Sequence, residues 1–227
     1  MSEIKRSRRF EQGGGNLSQA KKGVHTLVFT PNRLEALTDG IFAIVMTLLV
    51  LDLSITGIPQ SSVQTELPRR LLESWPAFLA YVMSFIILGM IWISHHRIFH
   101  YIKHSNPMLM WINIMFLMFV ALVPFSTRLM ADYLWTQGPF VVYGINVLLI
   151  FVMRLAMWNY ASGKSRLVDS GTSPQVIRRL KLVIGIIPTV MFLVVVGVAF
   201  LNIIVGYVVL WLLIPYGFLA QRLSGNE

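Results

Sequence analysis

The residues best placed to do chemistry stand where the first long apolar run begins. Arg33, Glu35, Thr38 and Asp39 follow one another closely, and the apolar stretch after them carries no further charge until Asp52. Charged residues flanking an apolar run are ordinary, which accounts for Arg33, Glu35 and Asp52. Asp39 is different. At ~1.5 Å of rise per residue it lies about one and a half turns inside a helix, where an ionised carboxylate needs a partner. The second apolar run ends with Trp92, His95, His96, Arg97, Phe99 and His100, bringing imidazoles and a guanidinium to the same depth. These residues predict an inner polar anchor of Arg33, Thr38, Asp39, His95 and Arg97, with Asp39 held by Arg33, His95 or Arg97.

Other groupings point away from catalysis. His96, His100 and His104 recur every fourth residue, the spacing of metal ligands on one helical face. The chain has five histidines in all and few carboxylates near them, too few for a di-metal site. It has no His-Glu-x-x-His, Gly-x-Ser-x-Gly or phosphate-loop pattern. Cysteine is absent, which excludes thiolate chemistry and disulfides. No catalytic residue, metal site or cofactor is expected, and an enzyme is not.

The elements that must position the polar residues follow from composition. Of 227 residues, 56% are hydrophobic and 13% charged, against roughly 25% charged in soluble domains. So apolar a chain belongs in a bilayer. Its excess of Lys and Arg, a net charge of +9, sits between the apolar runs. It therefore reads as a topology signal and not as a nucleic-acid surface. About 20 apolar residues cross the hydrocarbon core, and six runs qualify: Leu34 to Leu53, Trp75 to Ser94, Met108 to Met130, Phe140 to Tyr160, Leu182 to Phe200 and Ile203 to Ala220. The fold class expected is all-α, a six-helix membrane bundle. Only Leu201 and Asn202 separate the last two runs, requiring a tight hairpin; one long kinked helix is the alternative.

With six spans and both termini cytoplasmic, every Lys and Arg except Arg69, Arg70 and Arg128 falls inside, which fixes the orientation. The expected organisation is a flexible basic cytoplasmic segment at 1–31, a membrane domain at 32–222 and a short cytoplasmic tail at 223–227. The longest outer loop runs from Thr56 to Ser74, and Leu67 to Trp75 is expected to form a short interfacial helix. Asn113, Asn146 and Asn159 suit interhelical hydrogen bonds, and Pro124, Pro188 and Pro215 suit kinks. Met108, Met110, Met115 and Met118 suit packing.

Along the first run, Ile44, Thr47, Leu48 and Leu51 stand at i, i+3, i+4 and i+7, one stripe of a helix. Gly40 and Ala43 are small at i and i+3, so another helix can approach closely. Periodicity alone leaves the stripe as an ordinary packing face.

The stretch from Arg33 to Leu53 resembles the signature of the TMEM175 family of lysosomal and prokaryotic potassium channels. The family pattern is Arg, three residues, Phe-Ser-Asp, then an apolar helix ending in an acidic residue. Here Arg33 is followed by Leu37-Thr38-Asp39 and by Ala43-Ile44-Val45-Met46-Thr47-Leu48-Leu49-Val50-Leu51-Asp52, with Leu37 and Thr38 replacing Phe and Ser. Trp92, His95 and Phe99 are similar to the family's second patch. The resemblance covers essentially everything after residue 31. It implies a homotetramer in the cell membrane, with four copies of the first helix around a pore for K⁺ and no carbonyl-lined filter. Carried over by position, the constriction falls on Ile44, with Leu48 and Leu51 above it, Thr47 beside it and Asp52 at the pore mouth. Val205-Gly206-Tyr207 looks like part of the usual potassium filter, but lacks its flanking Thr and Gly and sits mid-span.

A small proton-coupled secondary transporter is the rival. Such carriers show internal repeats and midplane charges. No repeat is evident here, and the span middles hold no Asp, Glu, Lys or Arg. The expected partners are lipid, K⁺ and further copies of the chain.

Overall fold

The computed structural model describes residues 30–55, 57–163 and 167–224. The basic segment before residue 30 and the last three residues lie outside them. Pro31 opens helix α1 (Pro31–Leu48), a position where its missing N–H costs nothing. The last turn tightens into a 3₁₀ segment, Leu49–Leu53, carrying Asp52. After a loop in which Gly57 takes φ 81°, a left-handed angle suited to glycine, come α2 (Val63–Glu73) and α3 (Trp75–Tyr101). Then follow α4 (Pro107–Ala121), α5 (Val123–Asp132), α6 (Gln137–Ser162), α7 (Pro174–Leu180), α8 (Ile187–Leu201) and α9 (Ile203–Ser224). Helices dominate, and among the described residues the only extended pairing is an isolated bridge between Ile102 and Val168.

Five helical stretches are long and apolar enough to cross a membrane: Pro31–Leu51, Trp75–Tyr101, Pro107–Asp132, Gln137–Ser162 and Pro174–Leu201. Ile203–Leu219 is a shorter apolar helix. The protein is an all-α membrane bundle. The hairpin is formed, and not the long kinked helix: α8 ends at Leu201, Asn202 is extended, and its Oδ1 accepts from the N–H groups of Ile204 and Val205, capping α9. A Cβ on Gly206 would stand 3.1 Å from that of Ala199, so α8 and α9 cross there almost backbone to backbone. The expected interfacial helix is displaced: α2 ends at Glu73, and Ser74 separates it from Trp75, which begins α3.

The prolines sit at irregularities. Pro124 follows a break at Leu122 between α4 and α5, Pro215 lies within α9, and Pro188 follows a π-helical segment, Lys181–Ile186. Lacking an N–H, Pro188 frees the carbonyl four residues before it, Ile184. In a bilayer that oxygen must be satisfied within the protein. The Arg154 guanidinium of α6 donates to it, and also to Ser94 Oγ of α3. A second buried chain joins Thr127 to Ser84 (2.8 Å) and Ser84 to the Tyr143 hydroxyl (3.1 Å), while Asn146 donates to Ser126 (3.2 Å). These bonds lock α3, α5 and α6 together in the core, and α1 lies outside them, packed on α3 and α4.

Candidate functional site

Helix α1 has two unlike faces. Leu34, Thr38, Phe42, Val45 and Leu49 are buried against α3 and α4. The opposite face carries Leu37, Gly40, Ile44, Thr47, Leu48 and Leu51, all exposed in the single chain, Ile44 at 60% and Leu51 at 65%. The four residues expected from the sequence to form one stripe do share that open face. A Cβ on Gly40 would meet nothing within 4 Å. Thr47 Oγ donates into its own helix, to the carbonyls of Ala43 (2.9 Å) and Ile44 (2.8 Å). Its hydrogen is thereby turned inward, and its lone pairs are left on the open side. Asp52 belongs to the 3₁₀ segment, and its side chain lies outside the described residues.

The buried face is pinned by a polar chain. Asn113 of α4 lies between two partners: its Nδ2 donates to Thr38 Oγ1 at 3.2 Å, and its Oδ1 faces His95 Nε2 at 3.0 Å. An amide oxygen only accepts, so Nε2 carries the hydrogen. The His95 ring is stacked between Phe99 (4.5 Å between centroids) and Phe116 (5.1 Å), and Phe116 in turn meets Phe42 of α1 at 6.1 Å. Thr38, Asn113 and His95 are all buried. The cluster therefore fixes the rotation of α1 through matched hydrogen bonds and aromatic contacts.

Asp39 finds a different partner from those expected. Its Oδ1 accepts from the Trp92 indole N–H at 2.7 Å. The geometry explains this: Asp39 lies at the exposed edge of α1, next to Trp92 on α3, whereas His95 points into the core toward Asn113. The Trp92 ring stacks on His96 at 6.2 Å, and His96 pairs with Glu35 at 3.5 Å. Arg33 is exposed on α1 and Arg97 lies on α3, lining a separate cavity. The anchor expected from the sequence omits Asn113, Trp92, Glu35 and His96. Asn113 was legible as a polar residue in mid-span, but nothing in the sequence tells which neighbour it meets.

Spanning helices, a peripheral helix with an open small-and-apolar face, and a polar brace in its N-terminal half define a helical membrane protein. The family model described as endosomal/lysosomal potassium channel TMEM175 matches residues 33–124, from α1 to the start of α5. A potassium channel of Streptomyces collinus is 36% identical over 141 residues, covering 60% of this chain and 67% of that protein. A bovine protein named as the endosomal/lysosomal proton channel TMEM175 is 37% identical over 99 residues, covering 41% of this chain and 21% of that protein. The crystal structure of a lysosomal potassium-selective channel TMEM175 homologue from Chamaesiphon minutus superposes with a TM-score of 0.70 and 30% identity, covering 86% of this chain and 98% of that one. The chain belongs to the TMEM175 family.

Proposed function

We propose that this protein conducts potassium ions passively, as a homotetramer whose four α1 helices surround the pore, with both termini cytoplasmic in the cell membrane. One observation carries the reading: among the described residues, the Gly40–Ile44–Thr47–Leu48–Leu51 face of α1 is left uncovered by the other helices of its own chain. Small residues on it allow four helices to approach closely. The potassium-channel relatives support the choice of ion.

Around a fourfold axis, Ile44 forms a narrow apolar ring, and such a ring gates by excluding water. An ion crossing it sheds part of its hydration shell, which penalises the more strongly hydrated Na⁺ relative to K⁺. Thr47 supplies hydroxyl lone pairs one turn away, because its own hydrogen is already engaged by the helix. Leu48 and Leu51 extend the apolar neck, and Asp52 concentrates cations at the outer mouth. The Thr38–Asn113–His95 chain and the Asp39–Trp92 bond set the angle at which each α1 presents Ile44.

The test is purified protein in liposomes under a K⁺ gradient, with native mass spectrometry of the same preparation. A tetramer passing K⁺ without coupled proton movement is the expected result. Free passage of H⁺ would make the proton, the ion named for the bovine relative, the permeant one. Saturable flux coupled to H⁺ would make the protein a secondary transporter. A monomer, or absence of flux, ends the pore assignment.

A further inference from the structure

Arg154 stands apart from the brace just described. It is 2% exposed on a membrane-spanning helix, and no carboxylate pairs with it among the described residues. Its two Nη atoms donate to neutral oxygens, Ser94 Oγ and the Ile184 carbonyl, and its Cζ lies 4.6 Å from the Phe151 ring centroid. Its Nε is buried without a partner. Neutral acceptors satisfy hydrogens but leave the charge, and a buried cation in a low-dielectric surround calls for an anion.

Beside it is a cavity of about 70 Å³ between α3, α6, the π segment, α8 and α9. Along α3 it extends from Ile87 to Arg97, a length of about 15 Å at ~1.5 Å per residue. Its deep half is apolar, with Ile87, Phe192 and Leu213 in the wall, and its other end holds Ser94, Arg97 and Arg154. That end is the one where Arg178, Arg179 and Lys181 gather. At roughly 10–15 Å³ per enclosed water, the volume is narrow, the width of a single hydrocarbon chain.

We infer that this slot holds one acyl chain of an anionic membrane phospholipid, with its phosphate at the basic end against Arg97 and Arg154 supplying fixed charge behind it. The apolar depth is what favours a lipid over a free anion, since an inorganic ion gains nothing from the hydrocarbon wall around Ile87, Phe192 and Leu213. Basic pockets between membrane helices commonly take such headgroups. The site is separate from the α1 face, so the inference stands whichever ion the protein conducts.

The test is thermal unfolding of the detergent-solubilised full chain with phosphatidylglycerol, phosphatidylcholine or inorganic phosphate added, alongside native mass spectrometry of retained lipid. Phosphatidylglycerol is expected to raise the melting temperature by roughly 5 °C, as saturation of a native-state site does, and the other two to leave it unchanged. Because Arg154 also holds the Ile184 carbonyl, its replacement would confuse lipid loss with misfolding. Val183→Trp, which fills the cavity from its half-buried wall, and Arg97→Gln, at its basic end, are the informative variants. Both should lose the phosphatidylglycerol-specific rise and the retained lipid. Equal shifts from the two lipids, an equal shift from phosphate alone, or a Val183→Trp protein that keeps the rise would each overturn the inference.

Discussion

Two uncovered faces of this molecule look alike in a hydrophobicity count and differ in kind. On the α8–α9 hairpin the open positions include Val190, Leu193, Val194 and Phe200, then Ile204, Val208, Leu212 and Phe218, with Gly197 a small residue among them and none within the helices hydroxylated. On α1 the open positions include Gly40, Ala43 and Thr47 among Leu37, Ile44, Leu48 and Leu51. Lipid chains are fluid and conform to a rough surface, so the hairpin needs only apolar bulk. A second protein helix is rigid, and a face meant to meet one gains contact by being thin. The difference also extends inward. The buried side of α1 is braced by Thr38, Asn113 and His95, whereas α8 and α9 meet through Gly206 and Ala199. Exposure of apolar side chains therefore says little in a membrane protein, and the size and polarity of the residues interspersed among them say more.

The sharpest way to break this comparison is a matched pair of glycines. Both Gly40 and Gly197 have open space where a Cβ would stand, so neither substitution strains the protomer. Gly40→Leu is expected to abolish tetramers in native mass spectrometry, because the added side chain occupies the approach path of the neighbouring helix. Gly197→Leu, on α8, is expected to assemble normally and to gain up to about 1 kcal/mol of helix propensity. Equal assembly of the two variants would mean that α1 faces lipid. Next in size is Ile44→Asn. A wetted neck should raise cation flux on the order of tenfold, equivalent to about 1.4 kcal/mol off the barrier, and lower the preference for K⁺ over Na⁺. Val208→Asn on the hairpin should leave both unchanged. Unaltered selectivity in Ile44→Asn would remove that residue from the pore.

Much of this arrangement is legible in the sequence. Apolar runs gave the spans because the bilayer imposes a length, and Asn202 between two of them gave the hairpin because an apolar chain of that length has to turn back. The stripe on α1 followed from helical periodicity. What periodicity does not carry is pairing between helices distant in the chain. Asp39 was visibly in need of a partner, and charge suggested Arg33, His95 or Arg97. The actual donor is the Trp92 indole, because His95 is turned into the core, stacked between Phe99 and Phe116 and facing Asn113 instead. Charge complementarity ranks candidate partners by strength, while packing decides which of them comes within 3 Å.

A smaller effect comes from the brace. Asn113→Ala deletes the shared partner of Thr38 and His95, leaving two buried polar groups without hydrogen bonds. The expected loss is about 1–3 kcal/mol, read as a lower melting temperature of the solubilised protein, together with a broadened distribution of single-channel conductances as α1 loses its fixed rotation. Asn146→Ala, in the α5–α6 core, removes one donor to Ser126. It should lower the melting temperature by a comparable amount while leaving conductance uniform. A uniform conductance in Asn113→Ala would show that the brace stabilises the bundle without orienting α1.

The finest distinction concerns Asp39. Trp92→Phe keeps an aromatic ring against His96 and removes only the N–H that donates to Asp39 Oδ1. The bond joins a charged acceptor to an exposed pair of side chains, so its loss should cost about 0.5–1.5 kcal/mol, and water replaces part of it. Asp39→Asn, by contrast, retains an oxygen for the indole and removes the charge. If Asp39 serves to hold α1 on α3, Trp92→Phe should lower stability and Asp39→Asn should be nearly silent in the melt. If its charge acts on passing cations, the order reverses in a conductance measurement, and Asp39→Asn alone reduces K⁺ flux. The pair therefore separates an anchoring carboxylate from one that draws ions, at a residue on the exposed edge of α1.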